Sequence, residues 1–176
     1  MIGGRLPSRG RSLWAMASPN PPFPKGSPDE KELLLEWLGY LRGAVIRNVA
    51  GLDEVQARWQ PDGKLISLIG VVNHLTAVEW RWIDGGFLGA PVSRSEDEFQ
   101  PGPEVTVEAA IRTYRQRGSA TDNVVRTLPL TQRSPEDSWA EGMDLRFALV
   151  HLINETARHA GHADSTRELL DGTTGE

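Results

Sequence analysis

Hydrophobic residues recur at three- and four-residue spacing in four stretches of the chain, a pattern typical of amphipathic α-helices. The first stretch follows Ser27, which is expected to cap the helix, and Pro28, which suits the first helical position. Glu30 completes a capping box, and Gly51 is expected to end the helix. A short helical turn is predicted over residues 53–58.

The same spacing predicts three further helices. The second spans residues 67–83 and is expected to stop at the Asp-Gly-Gly sequence of residues 84–86. The third spans residues 106–128 and the fourth residues 144–171, each behind a capping side chain, and Gly172 follows the fourth. Four long helices, without any sustained two-residue alternation, predict an all-α four-helix bundle.

Two loops and one terminal segment interrupt the helical pattern. Loop 87–105 contains three prolines and an acidic run at residues 96–98, and the second loop spans residues 129–143. Both are longer than bundle connections usually are, so we expect them to cover something. Residues 1–26 are rich in Gly, Pro, Ser and Arg, which predicts a disordered or loosely packed tail. The bundle domain is therefore placed at residues 27–176.

Composition narrows the classes of function. The formal net charge of −5 argues against a nucleic-acid-binding surface, which would be strongly basic. Cysteine is absent from the sequence, which excludes disulfides, a thiolate metal site and a thiol nucleophile of the protein's own. No apolar run reaches the ~20 residues that span a bilayer, and residues 13–17 are too short for the apolar part of a secretory signal. We therefore expect a cytoplasmic protein without nucleic-acid or membrane partners.

The histidines are unevenly placed, with one on the second predicted helix and three on the fourth. On a helix of ~100° per residue, with His151 at zero, Glu155 lies at about 40° and His159 at about 80°. The apolar side of this helix lies at roughly 60° to 120°, so Glu155 and His159 point toward the core. His151, and His162 at about 20°, lie at its edge. A carboxylate that faces a core is costly unless it is paired or binds a metal.

A carboxylate and an imidazole at positions i and i+4 can share one metal ion, because their side chains overlie on one face. His74, beside the apolar arc of the second helix, is the expected third ligand. The set His74, Glu155 and His159 suits Zn²⁺, with Ni²⁺ or Fe²⁺ as alternatives. Two other interpretations stay open. These residues can be hydrogen-bonded structural groups, and Glu79 can replace Glu155 unless it forms a salt bridge with an arginine.

The second and fourth helices also carry a resemblance to a known family, the DinB-like superfamily. The likeness covers about residues 30–176 and is most specific on the fourth helix. An actinobacterial branch of the superfamily has a similar closing segment. The segments that resemble its second-helix motif are residues 68–75 and 78–82, those that resemble its fourth-helix motif are residues 145–147 and 151–164, and the closing segment is residues 167–172.

The resemblance implies a DinB/YfiT-like bundle in an up-down-down-up arrangement, often a homodimer. It also implies a metal held by one ligand on the second helix and two on the fourth. In much of the superfamily the fourth-helix pair is two histidines, whereas Glu155 takes the first position here. That departure resembles mycothiol-dependent maleylpyruvate isomerase, whose trio is His, Glu, His. By this similarity the ligands are His74, Glu155 and His159.

The function that the resemblance implies is a metal-dependent S-transferase. It would use a low-molecular-weight thiol of the mycothiol type as co-substrate and act on small electrophiles. His151, His162 and Arg158 are candidates to orient the substrate or to act as acid–base groups. The alternatives are a hydrolase with a metal-bound water, a non-catalytic stress-response protein that binds metal or a small molecule, and a structural bundle in which Glu155 pairs with Arg158 or a histidine.

Overall fold

A computed structural model describes residues 21–175. Residues 1–20, most of the predicted tail, lie outside the described part. Within it, Phe23 packs edge-on against Trp37 and Tyr40, with ring centroids 5.2 and 5.3 Å apart. The α-helices of the described part are α1 (Glu30–Val49), α2 (Glu54–Arg58), α3 (Leu68–Glu79), α4 (Val107–Thr127) and α5 (Leu145–Asp171).

The helical class is confirmed, and most helix boundaries fall where capping residues predict them. The side chains of Thr106 and Asp144 accept hydrogen bonds from backbone N–H groups three residues ahead, at 3.2 and 2.9 Å. The predicted start of α1 is wrong, because Asp29 rather than Ser27 is the cap. Asp29 still has extended backbone angles, and its carboxylate accepts from the N–H of Glu32 at 3.0 Å. Ser27 accepts only from the N–H of Asp29.

The predicted stop at residues 84–86 agrees with the structure, where the helical segment ends at Gly85 with Gly86 as its C-cap, but the last turns before it are not α-helical. The helix continues past Glu79 as a π-helix, Trp80–Gly85. Gly85, its last residue, has no side chain and so leaves room for loop residue Val92. A Cβ at position 85 would lie 2.6 Å from a Val92 methyl carbon. Wide π turns often occur at functional sites, and this one carries Arg81 and Trp82.

Two apolar clusters fill the bundle and leave a polar layer between them. The first joins the C-terminal halves of α1 and α5 to the N-terminal halves of α3 and α4, and the second joins the opposite halves. Arg42, Thr121 and Thr156 are buried between the clusters on α1, α4 and α5. This distribution is consistent with the up-down-down-up order, which remains a prediction.

An ion network occupies part of the polar layer. Arg42 donates to both carboxylate oxygens of Glu79 at 2.7 and 2.8 Å and to Asp122 at 2.8 Å. Gly118 makes room for it, because a Cβ there would lie 3.1 Å from the guanidinium carbon. Burial alone would lower the pKa of Arg42, but the two carboxylates raise it overall. Glu79 is therefore the salt-bridge partner of an arginine and does not replace Glu155.

The long loops are folded against the bundle. Loop 87–105 contains a 3-10 turn, Glu96–Phe99, that packs on α3. In loop 129–143 the backbones of Arg133 and Asp144 form an isolated antiparallel bridge. Among the helices of residues 21–175, none has both the length and the apolar character needed to cross a membrane.

Candidate metal centre

The structure brings together the three predicted ligands from α3 and α5. Oε1 of Glu155 lies 3.3 Å from Nε2 of His74 and 3.3 Å from Nε2 of His159. One ligand atom from each residue lies within 4.8 Å of the other two. The spacing of Glu155 and His159 on α5 places both side chains on one face, and α3 presents His74 across the interface.

The donor set fits a divalent transition metal. His74 is 3% exposed and His159 is 8% exposed, while the Glu155 side chain keeps 19% of its surface accessible. Two imidazole nitrogens and one carboxylate oxygen, with one side open, match the ligand sets of catalytic metal sites. Nδ1 of His159, the ring nitrogen other than the one near Glu155, is buried without a hydrogen-bond partner among the described residues.

The electrostatics favour the protonation states that bind metals. Burial would raise the pKa of Glu155, but the hydrogen bond with His74 and the nearby histidine charges lower it overall. The pKa of His159 is lowered, first by burial and then by the charge of His74. An ionised carboxylate and a neutral imidazole are therefore favoured, and these are the forms that coordinate a metal.

Glu98 is a site residue that the sequence analysis missed. Its side chain is buried, and Oε1 lies 2.5 Å from Nδ1 of His74. Arg81 holds the same carboxylate with contacts of 2.5 and 2.9 Å. Burial would raise the pKa of Glu98, yet Arg81 and His74 lower it overall. The acidic run in a long loop was the available signal, but the sequence does not show which carboxylate turns inward.

A pocket of about 480 Å³ opens beside His74 and Glu155. Its aromatic wall is formed by Trp82, which stacks on His151 with ring centroids 4.0 Å apart and meets Trp139 edge-on at 4.8 Å. The cations that line the pocket are Arg81 and Arg94. The cluster therefore adjoins a space large enough for a small organic molecule.

The three candidate substrate-handling residues lie in different surroundings. His151 lines the pocket, and burial lowers its pKa against the opposing charge of Glu155. His162 is exposed, with its ring 5.5 Å from that of His159. Arg158 is 67% exposed and reaches Glu155 only at 4.0 Å. Of these three, only His151 lines the pocket.

Comparison with known families adds one finding to this geometry. A family model described as mycothiol S-transferase matches residues 33–172. The matched segment includes the clustered residues His74, Glu155 and His159, together with Glu98 and the pocket wall. No curated protein matches the chain.

Proposed function

The chain belongs to the mycothiol S-transferase family, and on this premise we propose that it is a metal-dependent enzyme that joins a mycothiol-type thiol to a small electrophile. The observation that carries the proposal is the convergence of three ligand-type atoms, from His74, Glu155 and His159, beside an open pocket. Zn²⁺ is the proposed metal, and Ni²⁺ or Fe²⁺ would also suit two imidazoles and a carboxylate.

Each of the clustered residues has a defined part in this proposal. Nε2 of His74, Oε1 of Glu155 and Nε2 of His159 would hold the metal. When bound, the metal supplies a positive charge that lowers the pKa of a thiol. The chain has no cysteine, so the reacting thiol must come from a second molecule.

The pocket would receive the electrophile. Trp82 and Trp139 offer flat apolar surfaces, which favour a flat or apolar substrate body. Burial lowers the pKa of His151, which favours its neutral form, and a ring nitrogen of the neutral imidazole can accept the proton that the thiol releases. Arg94, which forms no ion pair within residues 21–175, would attract an anionic group to the pocket mouth.

Metal binding is tested first, through protein stability. Zn²⁺ at a hundred times its Kd should add about 2.7 kcal/mol to the free energy of unfolding, because only the folded chain holds the ligands together. Glu155→Ala and His159→Ala should lose this increment, whereas Glu168→Ala, at an exposed position of α5, should keep it. Equal losses with and without chelator would instead support a purely structural cluster.

Thiol transfer is tested on the metal-loaded protein. Mycothiol and a panel of small electrophiles are incubated with the protein, and the thioether product is measured by mass spectrometry. We expect product with the wild type and none with Glu155→Ala. Turnover without thiol would support a hydrolase, and metal binding without turnover would support a binding protein. A homodimer and a cytoplasmic location remain predictions.

A further inference from the structure

The 3-10 turn Glu96–Phe99 closes over the outer side of His74. Oε1 of Glu98, a residue of this turn, lies 2.5 Å from Nδ1 of His74. Nε2 of the same ring lies 3.3 Å from Oε1 of Glu155. The two ring nitrogens are therefore used differently, one by the loop and one by the cluster. We propose that Glu98 is a positioning residue that orients the His74 ring for metal binding and is itself held by Arg81.

Several contacts independent of the carboxylate fix this turn against α3. The side-chain amide of Asn73 donates to the backbone carbonyl of Glu98 at 2.8 Å. Gly70 on α3 allows Phe99, the residue after Glu98, to come close, because a Cβ at position 70 would lie 2.2 Å from the Phe99 carbonyl oxygen. The Phe99 ring stacks on the His74 ring at 4.3 Å and 24°. His74 is thus held by an aromatic face and by a carboxylate at once.

Arg81 makes the buried carboxylate tolerable. Glu98 is 5% exposed, and an unpaired carboxylate at that depth would be costly. Arg81 contacts both of its oxygens in the fork geometry of an arginine–carboxylate pair. The π-helix places Arg81 there, about two turns beyond His74. The charge of Arg81 is consequently committed to Glu98 rather than to a substrate.

The arrangement has a defined consequence for His74. A carboxylate that accepts from Nδ1–H fixes the tautomer with the free lone pair on Nε2, the nitrogen that faces Glu155 and His159. It also holds the ring plane and raises the basicity of Nε2 as a ligand. This inference rests on the proposed metal site, but it concerns a residue outside the ligand set.

The test compares metal affinity in full-length variants. Zn²⁺ dissociation constants are measured by competition with a chromogenic chelator for the wild type, Glu98→Ala, Glu98→Gln and Asp97→Asn. Loss of such a partner typically weakens metal binding about 10- to 100-fold, which we expect for Glu98→Ala, with a smaller loss for Glu98→Gln. Asp97 is an exposed carboxylate in the same turn, so Asp97→Asn should match the wild type.

A spectroscopic measurement separates positioning from general stability. The absorption spectrum of the Co²⁺-loaded protein should shift in both Glu98 variants and stay unchanged in Asp97→Asn. If Glu98→Ala does not fold, as judged by circular dichroism, Glu98→Gln decides. Wild-type affinity and spectrum in the Glu98 variants would overturn the inference and leave the metal site standing. A wild type that binds no metal would overturn both.

Discussion

Two buried polar clusters share the interior of this bundle, and they differ in how completely their groups are paired. In the ion network, Arg42 makes three contacts of 2.7 to 2.8 Å with Glu79 and Asp122. In the metal-type cluster, two imidazoles lie 3.3 Å from a single oxygen of Glu155, and Nδ1 of His159 has no hydrogen-bond partner in the described part of the chain. The first cluster is closed on itself, and the second presents donor atoms to a pocket.

Burial and charge alone therefore do not distinguish a candidate ligand site from a structural ion pair. Glu79 is 2% exposed, more deeply buried than Glu155, yet its oxygens are both used by Arg42. His74 lies only five positions before it on the same helix, with Nε2 directed at the unsatisfied cluster. The useful criterion is whether lone pairs remain after the protein's own contacts are counted.

The largest effect on the free energy of unfolding is expected from removing the arginine of the ion network. Arg42→Met leaves Glu79 buried without its partner, which should lower the free energy of unfolding by about 3–5 kcal/mol. Urea unfolding in the presence of chelator measures this loss without any contribution from metal. The matched control is Arg112→Met, which breaks an exposed pair with Glu108 on α4 and should cost less than ~1 kcal/mol.

A second readout on the same variant tests whether the clusters are separate. Provided that Arg42→Met folds, its Zn²⁺ affinity should equal that of the wild type, because Arg42 contacts none of His74, Glu155 and His159. Replacing Arg42 and Glu79 together by Met and Leu should recover part of the stability, since no unpaired Glu79 charge is then buried. A parallel loss of stability and Zn²⁺ affinity would show that the two clusters are energetically coupled.

The sequence predicted the metal-type cluster better than the ion network, for a physical reason. The i, i+4 spacing of Glu155 and His159 is local, and the helical period alone places both on the core side of α5. The cap Asp144 and the left-handed Gly172, with φ 78°, likewise fix the ends of α5 from local chemistry. Such local features can be recognised from a single sequence.

The contacts that the sequence could not give are those made across long chain separations. Glu98 meets His74 through a loop whose path depends on packing, so no periodicity identifies it. The approach of Val92 to Gly85 likewise joins a loop residue to the π-helix, where a Cβ at position 85 would lie 2.6 Å from a Val92 methyl carbon. Arg42 on α1 pairs with Asp122 on α4, 80 positions later in the chain. Local pattern carries no information on such partners.

His151, in the pocket beside the metal-type cluster, is expected to make the stability of the fold depend on pH. Burial lowers the pKa of His151 below its ordinary value of 6.5, against the charge of Glu155 and beside the cations Arg81 and Arg94. Between the lowered pKa of the folded protein and 6.5 the unfolded chain binds more protons than the folded one, so the free energy of unfolding falls as pH falls through this range. His151→Gln should reduce the slope of the free energy of unfolding against pH, by an amount equivalent to less than one bound proton per molecule.

The measurement for His151 is the free energy of unfolding at several pH values with chelator present, joined to a proton NMR titration of the ring. Trp82→Ala provides the matched test, because removing the stacked ring exposes His151 and should bring its pKa back toward 6.5. An unchanged pH slope in His151→Gln would show that the pocket histidine contributes nothing to the acid response of the fold.

The smallest effect is expected at the pair of half-buried Arg167 with exposed Asp171, which serves as the reference for the ion network. Arg167 donates to Asp171 at 2.8 Å near the end of α5, and Thr173 donates to the other carboxylate oxygen. These hydrogen bonds lower the pKa of Asp171 from 3.8 to about 2. The stability they provide is therefore present above pH 3.8 and is lost as pH falls toward 2.

Asp171→Asn should lower the free energy of unfolding slightly near neutral pH, far less than Arg42→Met does. Urea unfolding at decreasing pH should show the difference between wild type and variant shrinking in the acid range. A difference that stays constant with pH would assign the stabilisation to the shape of the side chain rather than to its charge, and the pair would then no longer serve as an ionic reference.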